Sequence, residues 1–130
     1  MNAQSLDAMM VFYRRHVCRL DPWPDCLNRT FEKIMQNPEV YNTMWGPSEF
    51  RATGVIKDWD IVDRLVEIRC PALITSGRYD EATPAIAGTV HRGIRGSEWV
   101  IFEQSAHQAH LEEPERYIEV LDAFLSRVEA

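Results

Sequence analysis

Pro71-Ala72-Leu73-Ile74-Thr75-Ser76-Gly77-Arg78-Tyr79-Asp80-Glu81-Ala82-Thr83-Pro84 decides how this chain folds. Ala72-Leu73-Ile74-Thr75 is a compact apolar run without polar alternation, the texture of a strand covered on both faces, which parallel sheets flanked by helices produce. Thr83 then reads as an N-cap and Pro84 as a first helical residue, where a missing N–H does no harm. A helix is expected from there through about His91, closed by Gly93 and Gly96. Glu98-Trp99-Val100-Ile101-Phe102 is the second expected strand. Pro114 opens a last helix with Tyr117, Val120, Leu121, Phe124, Leu125 and Val128 on one apolar stripe. The second half thus reads as an α/β unit, strand, helix, strand, helix, with the two strands parallel.

Upstream the texture changes to short helices with irregular joints. Leu6, Met9, Met10, Tyr13 and Val17 follow helical spacing behind Ser5, an expected N-cap, until Asp21-Pro22-Trp23-Pro24 ends the pattern. A second helix begins near Asp25 and sets Leu27, Phe31, Ile34 and Met35 on one side before Asn37-Pro38 interrupts. Trp45-Gly46-Pro47-Ser48-Glu49-Phe50 reads as a turn-rich loop, and Ile61, Leu65 and Ile68 as a short helix leading to Cys70-Pro71. The expected division is a helical segment over 1–59 followed by a βαβα unit over 60–130. No internal repeat is visible.

Composition bounds the function. The sequence has 130 residues, 45% hydrophobic and 26% charged, which suits one globular domain and excludes a low-complexity or disordered chain. No stretch approaches the roughly 20 apolar residues of a membrane helix, and Met1-Asn2-Ala3-Gln4-Ser5-Leu6-Asp7 lacks the pattern of a secretory signal, so a cytoplasmic protein without membrane contact is expected. The net charge of −6 falls almost wholly in residues 72–130, with five Lys/Arg against ten Asp/Glu. Nucleic acid is not an expected partner, since phosphate neutralisation needs a basic patch. Cys18, Cys26 and Cys70 form an odd set without a C-x-x-C pair, expected as buried thiols in a reducing compartment. Trp23, Trp45, Trp59 and Trp99 read mostly as core.

Open α/β sheets bind ligands outside the carboxyl ends of their strands, so chemistry is sought after Thr75 and after Phe102. The first place holds Asp80, and the second holds Ser105-Ala106-His107-Gln108-Ala109-His110. Asp80 could hold one ring N–H of His107 and aim the other nitrogen at a reacting group, the acid–base pair of a nucleophilic triad. The same residues fit a loop-turning Asp80 beside a surface His107, and spacing leaves both readings open. His107, His110 and Glu112 lack the H-E-x-x-H arrangement, and no metal is expected.

The segments Pro71 to Pro84 and Ser105 to Glu115, the latter including His110-Leu111-Glu112-Glu113-Pro114, together resemble the C-terminal part of α/β-hydrolases. Arg15-His16-Val17-Cys18-Arg19, Met44-Trp45-Gly46-Pro47-Ser48-Glu49-Phe50 and Gly54-Val55-Ile56-Lys57-Asp58-Trp59-Asp60 resemble the cap, and its return to the core, in proline iminopeptidases, serine aminopeptidases that release an N-terminal proline from peptides. The resemblance implies an α/β fold: the last two parallel strands of a hydrolase with flanking helices, preceded by a helical cap segment. It also implies Asp80 as triad acid and His107 as triad base, in the family's order of serine, acid, histidine. Glu49 and Glu81 match positions whose carboxylates meet the substrate's protonated amine, and Trp45 would line a pocket for the proline ring. No cofactor is implied.

One part of the pattern is missing. The nucleophile elbow G-x-S-x-G occurs nowhere, and Gly46-Pro47-Ser48-Glu49-Phe50 fails at its last position. In the family the serine and oxyanion hole lie upstream of the segments matched here, so the chain alone is expected to be inactive. The expected partners are a peptide or small-molecule substrate with a free N-terminus and a complementary N-terminal hydrolase segment. Two other readings stand beside this one: a non-catalytic interaction module or half of a split hydrolase, and a general esterase remnant. A sheet of two strands would also expose an edge able to pair with another chain.

Overall fold

The apolar run at residues 72–75 extends further than expected, because Ser76 and Gly77 continue the ladder. Strand β1 covers Leu73–Gly77 and β2 covers Glu98–Phe102. They pair in parallel, with Leu73 opposite Glu98 and Gly77 opposite Phe102. The computed structural model describes residues 3–129. Around the strands, in chain order, stand α1 (Ala3–His16), α2 (Asp25–Gln36), α3 (Glu39–Met44), a 3-10 turn over Val62–Glu67, α4 (Pro84–Gly93), α5 (Ala109–Glu112) and α6 (Pro114–Val128).

Alternate residues of a strand face opposite sides, and here each side meets a helix. Phe102, 1% exposed, joins Ala109 of α5 and Val120 of α6 in the core, with Leu73, Val100 and Tyr117 packed around them. On the other side Trp99 lies against Gly88 of α4, and its Nε1–H donates to Ser76 Oγ at 3.0 Å. Helices on both faces explain why neither strand alternates in polarity. Burying Phe102 alone contributes about 2 kcal/mol. Thr83 and Pro84 open α4 as expected, although the Thr83 hydroxyl makes no capping bond.

The chain divides into two compact units, one of them Trp23–Ile61 and the other formed by the segments on either side. This division differs from 1–59 and 60–130, because residues before Trp23 pack with the sheet. Tyr13, Val17 and Cys18 are buried there, and the carbonyls of His16 and Val17 accept N–H bonds from Glu81 and His107, both at 3.1 Å. Ser5 lies inside α1 rather than capping it.

Within Trp23–Ile61, Leu27 is buried and Trp23 stacks on Phe31 with ring centroids 5.5 Å apart. The 45–50 loop turns through Gly46 at φ +102°, and the Trp45 carbonyl accepts N–H bonds from Thr53 and Gly54. A side chain on Gly54 would strike the Met44 carbonyl oxygen at 2.1 Å, so only glycine lets this return pass α3.

Several apolar expectations are corrected. Ile34 and Met35 are exposed rather than packed with Leu27, and Leu121, Leu125 and Val128 of the α6 stripe are exposed beside the buried Val120. Trp45 and Trp59 are exposed, while Trp23 and Trp99 are half-buried. Cys18 is buried as expected, but Cys26 and Cys70 are exposed. Helical spacing reports a common side of a helix, and the element that would cover that side must come from elsewhere in the fold. No helix among the described residues is long and apolar enough to cross a membrane.

Candidate active site

Both strands end at the same edge of the sheet, so the loops that follow them meet. Arg78 N–H donates to the Phe102 carbonyl at 2.9 Å and Tyr79 N–H to the Ser105 carbonyl at 3.0 Å, sewing one loop to the other. Gly77 permits this approach: a Cβ there would lie 1.9 Å from the Ala106 oxygen and 2.5 Å from that of Ser105. Outside, Arg78 grips Glu103 through two parallel bonds of 2.8 and 2.6 Å, which holds the Arg78 guanidinium pKa above its ordinary value and the Glu103 carboxyl below its own.

Asp80 sits at the centre of the joined loops. One carboxylate oxygen, Oδ1, accepts both the Ala82 N–H at 2.8 Å and Nδ1–H of His107 at 2.9 Å. The carboxylate can only accept, so Nδ1 carries a proton, and in the neutral ring Nε2 keeps its lone pair. Asp80 has 8% of its side chain exposed and His107 45%, so the acid is shielded while the imidazole reaches solvent. The bond to Asp80 raises the His107 pKa, burial opposes it, and the charges of Asp80, Glu81 and Glu112 raise it further.

Of the residues singled out in the sequence, Asp80 and His107 are thus bonded. Glu81 is half-buried beside them, its N–H fixed on the His16 carbonyl and its charge felt by His107. Glu49 and Trp45 belong to the Trp23–Ile61 unit, where the Glu49 carboxylate accepts the Tyr41 hydroxyl and the same hydroxyl accepts Glu49 N–H at 3.1 Å. Trp45 offers an exposed ring in that loop. Ser105, the serine closest in sequence to His107, is buried with its hydroxyl donating to Glu113. Among the described residues no group of three His, Cys, Asp or Glu side chains is arranged to hold a metal ion.

The reading by sequence missed Tyr41, Gly77, Glu112 and Glu113. Glu112 and Glu113 were visible as adjacent acids before Pro114, but nothing local shows that they turn back to the His107 loop. Arg19 lies with its guanidinium carbon 3.6 Å from the centre of the Tyr79 ring.

A parallel strand pair with helices on both faces, an acid after one strand and a histidine after the next, defines the C-terminal portion of an α/β-hydrolase fold. Over nearly its whole length the chain is similar to that portion of proline iminopeptidases. It is 45% identical over 127 residues to a proline iminopeptidase of Saccharolobus solfataricus, covering 98% of this chain and 41% of that protein. Against a proline iminopeptidase of Heyndrickxia coagulans it is 40% identical, covering 93% of this chain and 42% of the relative. Among solved structures it superposes at a TM-score of 0.91 on VinJ, with 41% identity over 98% of this chain and 43% of the other. Proline iminopeptidase from Mycobacterium smegmatis also gives 0.91, with 36% identity over 97% of this chain and 42% of the other. No protein-family model matches the chain. The chain spans about two fifths of the length of the curated relatives it matches.

Proposed function

We propose that the chain supplies the acid and base of a serine hydrolase that releases N-terminal proline from peptides, with the nucleophile contributed from outside these 130 residues. The hydrogen bond from His107 Nδ1 to Asp80 carries this reading, because it leaves Nε2 as an available base. Similarity to proline iminopeptidases supports the choice of substrate.

In the assembled enzyme Nε2 takes the serine proton as its oxygen attacks the carbonyl carbon of the prolyl bond. The tetrahedral oxyanion collapses, Nε2 returns the proton to the departing amine, and a prolyl ester of the serine remains. Water then attacks that ester, again giving a proton to Nε2, and proline leaves as the serine is restored. Asp80 stays ionised and stabilises the imidazolium in both halves. The pattern of proline iminopeptidases assigns the carboxylates of Glu49 and Glu81 to the protonated proline amine, and Trp45 offers an apolar surface for a proline ring.

The test mixes the purified chain with a separately expressed proline iminopeptidase segment bearing G-x-S-x-G and follows prolyl arylamide hydrolysis. The expected result is no turnover by the chain alone and turnover by the mixture that a serine-reactive phosphonate or His107→Ala abolishes. His107-dependent turnover by the chain alone, or turnover by the mixture that survives His107→Ala, overturns the proposal.

A further inference from the structure

The loop Gln104-Ser105-Ala106-His107-Gln108 lies outside helix and strand, and Ser105 and Ala106 in it are fully buried. Buried backbone donors must find acceptors, and without a ladder this loop has to draw them from elsewhere. Ser105 N–H reaches the Phe102 carbonyl at 3.3 Å and His107 N–H the Val17 carbonyl at 3.1 Å. The other three go to two side chains. Glu112 Oε2 accepts Ala106 N–H at 2.9 Å and Gln108 N–H at 3.1 Å, the two amides flanking His107. Glu113 Oε2 accepts Gln104 N–H at 3.1 Å and the Ser105 hydroxyl. Glu112 Oε1 also accepts Arg19 N–H at 2.7 Å, tying in the segment whose Val17 carbonyl holds His107.

We propose that Glu112, seconded by Glu113, is the positioning residue for His107: its carboxylate clamps the backbone on both sides of the histidine and thereby sets the imidazole on Asp80. The two acids can do this because Glu113 precedes Pro114 at the start of α6, and its side chain turns back to the loop and makes no bond to the helix N-terminus. A carboxylate has lone pairs enough for three amides at once, whereas an amide side chain has one oxygen. The inference rests on His107 being the base of the proposed enzyme, but its geometry concerns the imidazole alone.

The test is an NMR measurement on the 130-residue chain, following exchange of the His107 Nδ1 proton with water in the wild type, Glu112→Gln, Glu112→Ala and Val120→Ala. Val120→Ala loosens the core without touching the loop and serves as a control for stability. Glu112→Ala is expected to accelerate exchange by about tenfold or more, as loss of charge-assisted hydrogen bonds implies. Glu112→Gln keeps one oxygen for the Ala106 and Gln108 amides and is expected to fall between wild type and Ala. Unchanged exchange in folded Glu112→Ala, or equal acceleration by Val120→Ala, overturns the inference. Should Glu112→Ala not fold, exchange in Glu112→Gln decides: acceleration supports positioning and the wild-type rate overturns it. Since no turnover is measured, failure of the prolyl hydrolysis assay leaves this result standing, and the reverse also holds.

Discussion

His107 Nδ1 lies 2.9 Å from Asp80 Oδ1, a bond that joins the loops following two neighbouring strands and separates its partners by 27 residues of chain. That bond has three functions: it fixes the tautomer, it raises the affinity of the ring for a second proton, and it holds the loops together.

Asp80→Asn tests the first. An amide of the same shape presents N–H₂ or a weaker acceptor, so Nδ1–H loses its anionic partner and the other tautomer becomes competitive. In the assembled enzyme kcat is expected to fall by roughly 10⁴-fold with KM little changed. Prolyl arylamide kinetics and the His107 imidazole NMR signals check the change.

Stability and activity should respond oppositely to pH. Folding raises the His107 pKa, chiefly through the Asp80 hydrogen bond and with added negative potential from Glu81 and Glu112. The pair's contribution to stability is therefore fully present below the unfolded imidazole value of about 6.5 and is lost as pH rises through the folded value. Activity needs the neutral ring, so it rises over that window. Urea midpoints of wild type and His107→Gln are expected to converge as pH increases, while kcat of the assembled enzyme climbs with a midpoint above about 6.5.

Gly77→Ala should be more disruptive than Gly96→Ala. At Gly77 the new methyl would meet two backbone oxygens, at 1.9 and 2.5 Å, which can move only by parting the loops. Overpacking of this kind costs about 2–3 kcal/mol. Gly96 has φ +75° and nothing within 4 Å of a Cβ, so only backbone strain of about 1 kcal/mol arises. Urea unfolding measures both, and in addition Gly77→Ala should weaken the Nδ1 proton signal of His107.

Glu49→Gln addresses the amine. With the Tyr41 hydroxyl still beside it, the amide keeps the shape of the side chain and loses its charge. For substrates with a free N-terminal proline KM is expected to rise about tenfold or more, while N-acylated esters are unaffected. An unchanged preference between the two classes would instead support a general esterase.

The βαβα order, both strands and the last helix were legible in the sequence because each rests on local patterns: a non-alternating apolar run, a Thr-Pro helix start, a 3.6-residue stripe. Asp80 and His107 were legible as candidates because strand ends are where such folds carry chemistry. Their bonding was not, since the same spacing fits a turn and a surface histidine. The expected helix over residues 25–36 was legible too, yet Ile34 and Met35 stand exposed in it, because periodicity marks a side and not its cover.

The sequence by itself determined the parallel α/β character, the presence of an aspartate and a histidine after the strand ends, and the lack of a nucleophile elbow, all of which are matters of residue order. Tertiary structure alone decided the rest. It placed the 3–22 segment with the sheet through carbonyls of His16 and Val17, gave Tyr41 to Glu49, and turned Glu112 and Glu113 back on the His107 loop. The physical reason is that a buried loop amide needs an acceptor but not one from any particular distance along the chain. Arg19 and Glu112 are 93 residues apart and still 2.7 Å from each other.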